Sequence, residues 1–277
     1  AHAGQSLIMA AVGDGAGGET NAGMVTQMID GWNPDLVLYL GDVYEKGSFA
    51  EFYNWYGQSN SFYGLFRDVT NPTIGNHEYE NGVAPGYFGY WYNIPNYYSY
   101  NAGGWHFIAL NSTSQFNQTA TTSAQYQWLV SDLANNNTAC SIAYFHHPVL
   151  SVGPQGDTPS LNAIWSRLVQ AGVDIVLTGH DHTYARSGLQ ERTVYVTSVS
   201  GSKMYELDRK PWMKRAAENT QLYQVVSVDG DRLSFETRTA TGSLYDAFEL
   251  RKGPGGTVSF KDRAPKGVPE RIRPAAD

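Results

Sequence analysis

Ile175-Val176-Leu177-Thr178-Gly179-His180-Asp181-His182 sets a short apolar run directly against a glycine and two histidines one residue apart. The run reads as a buried strand, and the loop after a strand's carboxyl end is where an open α/β sheet presents polar side chains to a crevice. The same arrangement recurs up the chain. Leu7 to Val12 precedes Gly13-Asp14-Gly15, Leu36 to Leu40 precedes Gly41-Asp42-Val43-Tyr44, and Ile142 to Phe145 precedes His146-His147-Pro148. A fifth island, Gly75-Asn76-His77-Glu78, lies among them. Singly, a Gly-Asp pair is a common turn and a lone histidine is more often structural than a ligand. Together they are informative, because five of the seven histidines fall inside the islands. His2, at the terminus, and His106, on an apolar strand, read as structural.

Between the islands the pattern alternates. Glu19 to Trp32 places Met24 and Met28 at helical spacing before Asn33-Pro34 ends the run. Ser48 to Tyr56 is an aromatic helix candidate, Trp105 to Leu110 a strand, and Thr122 to Leu133 a helix with Thr122 and Gln125 spaced as a capping box. Thr158-Pro159 opens a helix to about Gln170. This predicts a parallel or mixed inner sheet covered by helices. From Thr193 onward strands and turns take over: Val194 to Val199, Leu222 to Val228, a hairpin signal at Asp229-Gly230, Leu233 to Thr237 and Tyr245 to Leu250. These are expected to form a second sheet packed on the first. The domain reading is one catalytic domain over residues 5–252, then a proline-rich tail or strap over 253–277. Tyr79 to Gly104 fits no period and is crowded with Tyr87, Phe88, Tyr90, Trp91, Tyr92, Tyr97, Tyr98 and Tyr100. Following His77 directly, it is expected at the crevice rim, either as a functional loop or as one pinned by its own aromatics.

Composition narrows the function classes. A chain of 277 residues with 42% hydrophobic content supports a sizeable core. No run of roughly 18 or more apolar residues suggests a membrane span. A net charge of -7 without a basic run argues against nucleic acid as a bulk partner. With a single cysteine, Cys140, metals would have to be held by His, Asp, Asn or Tyr. Ala1-His2-Ala3-Gly4 would suit the start left by a secretory cleavage, as would an arbitrary boundary; the expectation is an extracytoplasmic, secreted or periplasmic protein. Oligomeric state is not legible.

A dinuclear centre needs a bridging ligand, and a carboxylate can offer one oxygen to each metal; Asp42 is the candidate. Asp14 and His182 would complete one metal site, and Asn76, His146 and His180 the other, with Asp181 turned away. At these residues the chain resembles the calcineurin-like metallophosphoesterases, and within them the purple acid phosphatases. The resemblance runs from Val12 to about Arg186, through Tyr97-Tyr98-Ser99-Tyr100, Trp105 to Ser112, and Gly179-His180-Asp181-His182-Thr183-Tyr184-Ala185-Arg186. It implies an α/β fold, a four-layer α/β/β/α sandwich with two mixed sheets. It also implies two metal ions bridged by Asp42, iron with iron, zinc or manganese, and hydrolysis of a small phosphate ester by a metal-bound hydroxide.

The chain departs from that family at three places. The first island has Ala16 where the wider family has a histidine. The purple enzymes supply a tyrosinate three residues after the bridging aspartate, where Glu45 stands here; Tyr44 sits one residue early and is taken as the ligand. Gln155 occupies the position of an extra substrate-facing histidine, for which His147 is the candidate substitute. His77, beside Asn76, is expected to hydrogen-bond a phosphoryl oxygen or protonate the leaving alkoxide; Tyr79 is a rim candidate for substrate binding, and Glu78 anchors the turn. The expected function is phosphomonoester hydrolysis. The alternatives are phosphodiester or nucleotide hydrolysis at the same site, or a non-catalytic glycan- or peptide-binding protein using residues 79–104.

Overall fold

In chain order the strands are β1 (Leu7–Val12), β2 (Leu36–Tyr39), β3 (Thr70–Pro72), β4 (Tyr98–Ala102), β5 (Trp105–Ala109), β6 (Cys140–Phe145), β7 (Ile175–Thr178), β8 (Tyr184–Gln190), β9 (Thr193–Ser198), β10 (Met213–Ala217), β11 (Leu222–Asp229), β12 (Arg232–Thr239), β13 (Leu244–Lys252) and β14 (Val258–Asp262). The computed structural model describes residues 6–18, 20–199 and 203–272. Ala1 to Gly4, Glu19 at the expected helix start and residues 273–277 of the tail lie outside the described residues.

The strands make two seven-stranded sheets, ordered β14-β13-β12-β11-β1-β2-β3 and β10-β8-β9-β7-β6-β5-β4. Both are mixed: in the first, β1, β2 and β3 run parallel at one end while β11 pairs antiparallel with β1. In the other sheet β5, β6, β7 and β9 are parallel and β4 and β8 antiparallel. Alternation along the central strands explains their unbroken apolar runs, since both faces are covered. Met9, Ala11, Leu38 and Leu40 point between the sheets, against Phe107, Tyr144, Ile175 and Leu177. Their neighbours Ala10, Val12, Val37 and Tyr39 point outward under helix α1 (Thr20–Asp30), contributing to a second cluster with Val25 and Ile29. On the far side Ile108, Ala143 and Val176 are covered by Leu129, Ile164 and Leu168, from the helices Ala124–Asn135 and Asn162–Ala171. The result is the four-layer α/β/β/α sandwich with two mixed sheets.

The strands are shared between the sheets otherwise than the sequence pattern predicts. The first two islands follow strands of one sheet, and the islands at His146 and His180 follow strands of the other. Thr193–Ser198 joins the His146 sheet by pairing with β7 and β8, whereas β11 to β14 extend the sheet that begins with β1. Runs apolar on both faces carry no mark of which sheet they join.

Two local expectations also shift. Ser123, not Thr122, caps its helix by accepting from the Tyr126 N–H, while Gln125 turns inward and its carboxamide pairs with both backbone groups of Asn111 at 2.8 Å. The aromatic segment is largely structured: a helix over Pro85–Tyr90 and strand β4 hold Tyr87, Tyr90 and Trp91 in the core against Phe52 and Tyr56. The stretch after Gly253 forms β14 on the edge of the first sheet, and Arg271 then bridges to Ala217 at the edge of the second. It straps the two sheets together.

Candidate metal centre

Five strand-end loops meet at one end of the sandwich, and glycines let them approach. Gly41 holds φ of 91°, and a β-carbon there would press on the Gly75 backbone and His146 Nδ1. One at Gly75 would fall on the Asp42 carboxylate. Four polar residues at the meeting point are themselves left-handed: Asp14 (φ 56°), Asp42 (φ 64°), His180 (φ 69°) and His182 (φ 51°). Each costs of order 1 kcal/mol or more, a strain that surrounding structure sustains mainly at functional positions.

The backbone aims the carboxylates. Asp14 Oδ2 accepts from the His180 N–H at 2.9 Å, leaving Oδ1 to face Tyr44 Oη at 2.7 Å and His182 Nε2 at 3.5 Å. Asp42 Oδ1 accepts from the His77 N–H at 3.0 Å. Asp42 Oδ2 faces His146 Nε2 at 3.1 Å and Tyr44 Oη at 3.4 Å. Glu78 is buried beneath this loop and accepts from the N–H groups of Asp42, Val43 and Gly75, so it clamps the turn as the sequence suggests.

Backbone carbonyls aim the histidines. Nδ1 of His146 pairs with the Leu40 carbonyl at 2.7 Å, turning Nε2 toward Asn76 Oδ1 and His180 Nδ1, each at 3.1 Å. Nδ1 of His182 pairs with the Lys203 carbonyl at 2.6 Å, turning Nε2 to Tyr44 Oη at 2.6 Å. A carbonyl on one ring nitrogen sets the tautomer that offers the other as a ligand. Asp181 faces away, accepting from Ser151 Oγ and the N–H groups of Val152 and Gly153.

The buried groups shift one another. Burial opposes an imidazolium at His146, yet Asp42 and Asp14 overcome it and raise the group to about 10. Burial likewise opposes the Asp42 carboxylate, but His146 and His77 hold it below the usual carboxylate range. His180 is pushed down to about 3, by burial and then by the charge on His146. Ligand atoms of Asp14, Asp42 and His146 lie within 4.8 Å of one another, as do those of His146, His147 and His180. Buried oxygens and ring nitrogens at this spacing could hold metal ions.

Beside this cluster a cleft is lined by Asp42, Tyr44, Glu45, His77, Gln155, His180, His182, Lys203 and Tyr205. His77 stands at its wall, Nδ1 on the Glu45 carbonyl at 2.5 Å and Nε2 3.9 Å from Asp42 Oδ2. The Tyr44 hydroxyl takes the inner position, while the Glu45 side chain points to solvent. His147 is half-buried against His180, with Nδ1 on Ser112 Oγ at 3.0 Å. Tyr79 is drawn into the fold instead: its hydroxyl pairs with Asn111 and Asn96, and it is not part of the cleft wall. Lys203 and Tyr205 escape the sequence reading. They arrive on the β9–β10 connection with no motif, the Tyr205 ring 4.6 Å from that of His182 and tilted to it by 31°.

A family model described as calcineurin-like phosphoesterase matches residues 12–184. Purple acid phosphatase 15 of Arabidopsis thaliana is 29% identical over 199 residues, 56% of this chain and 36% of that protein. The chain thus spans about a third of that relative's length. A purple acid phosphatase from yellow lupin (Lupinus luteus) seeds superposes with a TM-score of 0.69 at 15% identity, over 91% of this chain and 55% of the other. GAP50, the anchor in the inner membrane complex of Plasmodium, superposes with 0.67 at 13% identity, over 96% and 90%. At such identities the likeness is one of fold, and a fold shared with an anchor leaves activity to be argued from the site. The family model covers every island from Asp14 to His182, and the chain belongs to the calcineurin-like phosphoesterases.

Proposed function

We propose that this protein hydrolyses phosphate monoesters with two metal ions, in the manner of a purple acid phosphatase. One observation carries the reading: Asp42 Oδ2 lies between two sets of inward-facing donors at the floor of a cleft. Asp14, Tyr44 and His182 would hold one cation, Asn76, His146 and His180 the other, and Asp42 both. His77 N–H engages Asp42 Oδ1, and Oδ2 faces His146 and Tyr44. When bound, the cations supply Lewis acidity toward the phosphoryl oxygens and make water nucleophilic near neutral pH. The Tyr44 hydroxyl among the first set favours iron there, with iron, zinc or manganese in the second.

His77 supplies the proton. Burial lowers its affinity for one, but Asp42 and the Glu45 carbonyl outweigh burial and raise its pKa. With Nδ1 committed to Glu45, Nε2 carries the proton at the cleft wall, placed to protonate the oxygen of the departing alcohol. His147, through Ser112, steadies the wall beside His180. The buried Tyr87, Tyr90 and Trp91 give no support to a glycan- or peptide-binding platform.

The test is elemental analysis of the purified protein, its visible spectrum, and turnover on chromogenic mono- and diesters. The expected result is close to two metals per chain, faster monoester than diester cleavage, and a visible band that Tyr44→Phe bleaches. Diester preference would move the reading to a phosphodiesterase on the same residues; no metal and no turnover after reconstitution would overturn it.

A further inference from the structure

The cleft mouth carries a charge pair outside the donor set. Lys203 Nζ lies 3.3 Å from Glu45 Oε1, with the side chains 60% and 67% exposed. Their backbones are tied down. The Glu45 carbonyl receives His77 Nδ1, the Lys203 carbonyl receives His182 Nδ1, and the Glu45 N–H is held by Glu51 Oε1 at 2.8 Å. The two loops that orient His77 and His182 therefore each place one charge at the rim, and the pair spans the cleft between those histidines.

We infer that Lys203 sets substrate preference by accepting a second phosphate, one carried by the leaving group, in exchange for Glu45. The inference rests on the phosphoesterase reading and names a substrate class for it. An exposed ion pair in water holds weakly. A lysine ammonium on a flexible stem presents three donors and can turn from one anion to another. A leaving group that departs past His77 passes under the pair. If it carries a phosphate it takes the ammonium; if it is neutral it leaves Glu45 in place, and the mouth remains uncharged overall. In the reaction the P–O bond to the leaving group breaks with its electron pair staying on the leaving oxygen. Water's oxygen bonds to phosphorus; the leaving oxygen takes a proton from His77 Nε2, and the proton that water gives up restores His77 through solvent.

The test compares kcat/KM for inorganic pyrophosphate with that for 4-nitrophenyl phosphate in the metal-loaded protein, alongside calorimetric binding of imidodiphosphate. Lys203→Met should lower the pyrophosphate-to-nitrophenyl ratio about 10-fold, through KM, and weaken imidodiphosphate about as much, since Glu45 then faces the anion alone. Glu45→Gln should raise the ratio about 3-fold, and Lys203→Arg should largely preserve it. Unchanged ratios and unchanged imidodiphosphate affinity across these variants would overturn the inference. Should neither substrate be hydrolysed, the phosphoesterase reading fails; the calorimetry still decides whether Lys203 binds the second phosphate.

Discussion

Two of the groups of charged side chains buried in this sandwich are assembled in opposite ways. Around Arg186, on β8, the charges close on themselves. Asp246 of β13 accepts from Nε at 2.6 Å, from Nη2 at 3.0 Å and from Tyr184 Oη at 2.7 Å, and Asp262 of β14 adds a contact at 3.3 Å. This cluster joins the two sheets, and its buried pair, Arg186 with Asp246, is neutral, the second carboxylate of Asp262 reaching solvent. Around Asp14 and Asp42 every ion pair among the described residues is with a histidine, the loops are left-handed at four positions, and a cleft reaches the cluster. Burial of charge does not by itself mark a site. Carboxylates in excess, facing ring nitrogens whose tautomers are set from behind, do.

The comparison predicts that the same kind of substitution has different consequences in the two places. Asp42→Asn should reduce turnover at least about 1,000-fold and cut metal content, while the metal-free protein melts no lower than wild type. A variant that keeps two metals and its rate would dissolve the distinction. Arg186→Met should do the reverse, leaving Asp246 buried without a partner and costing roughly 3–5 kcal/mol in urea denaturation. Adding Asp246→Leu should recover much of that loss; a single variant as stable as wild type would mean the cluster is no brace.

Smaller effects sharpen the boundary between holding the metals and using them. His77→Ala should leave metal content intact while kcat falls roughly 100-fold; an unchanged kcat would remove His77 from proton transfer. At the outer edge of the site, Glu51 accepts from Glu45 N–H, Lys46 N–H and Ser48 N–H. Partial burial opposes its charge, but these donors prevail and lower its pKa. Glu51→Gln should cost about 0.5–1 kcal/mol. A depressed carboxylate contributes stability above its unfolded value of 4.5 and loses it as pH falls through the lower folded value. The variant and wild type should therefore converge in acid; a difference constant with pH would assign the effect to packing.

Legibility differs in the same way between the two clusters. Most of the candidate metal-centre residues are readable because four of the five islands follow an apolar run, so strand, loop and proposed ligand are adjacent in sequence. The Arg186 cluster is not, since Asp246 lies 60 residues away. The structure makes Tyr184 and Arg186 a brace between the sheets, which their place just after the last island does not reveal.

By itself, the sequence determined the chemistry available: which carboxylates, histidines and tyrosine end strands, that an α/β sandwich carries them, and that cysteine plays no part. Tertiary structure alone decided which sheet each strand joined, because a run covered on both faces has no preferred partner. It turned Tyr44 inward and Glu45 outward where spacing left the choice open, and it packed Tyr87, Tyr90 and Trp91 of the aromatic segment into the core. It also delivered Lys203 to the cleft mouth on a connection without periodicity, held there by backbone pairing of Lys203 and Tyr205 with His182.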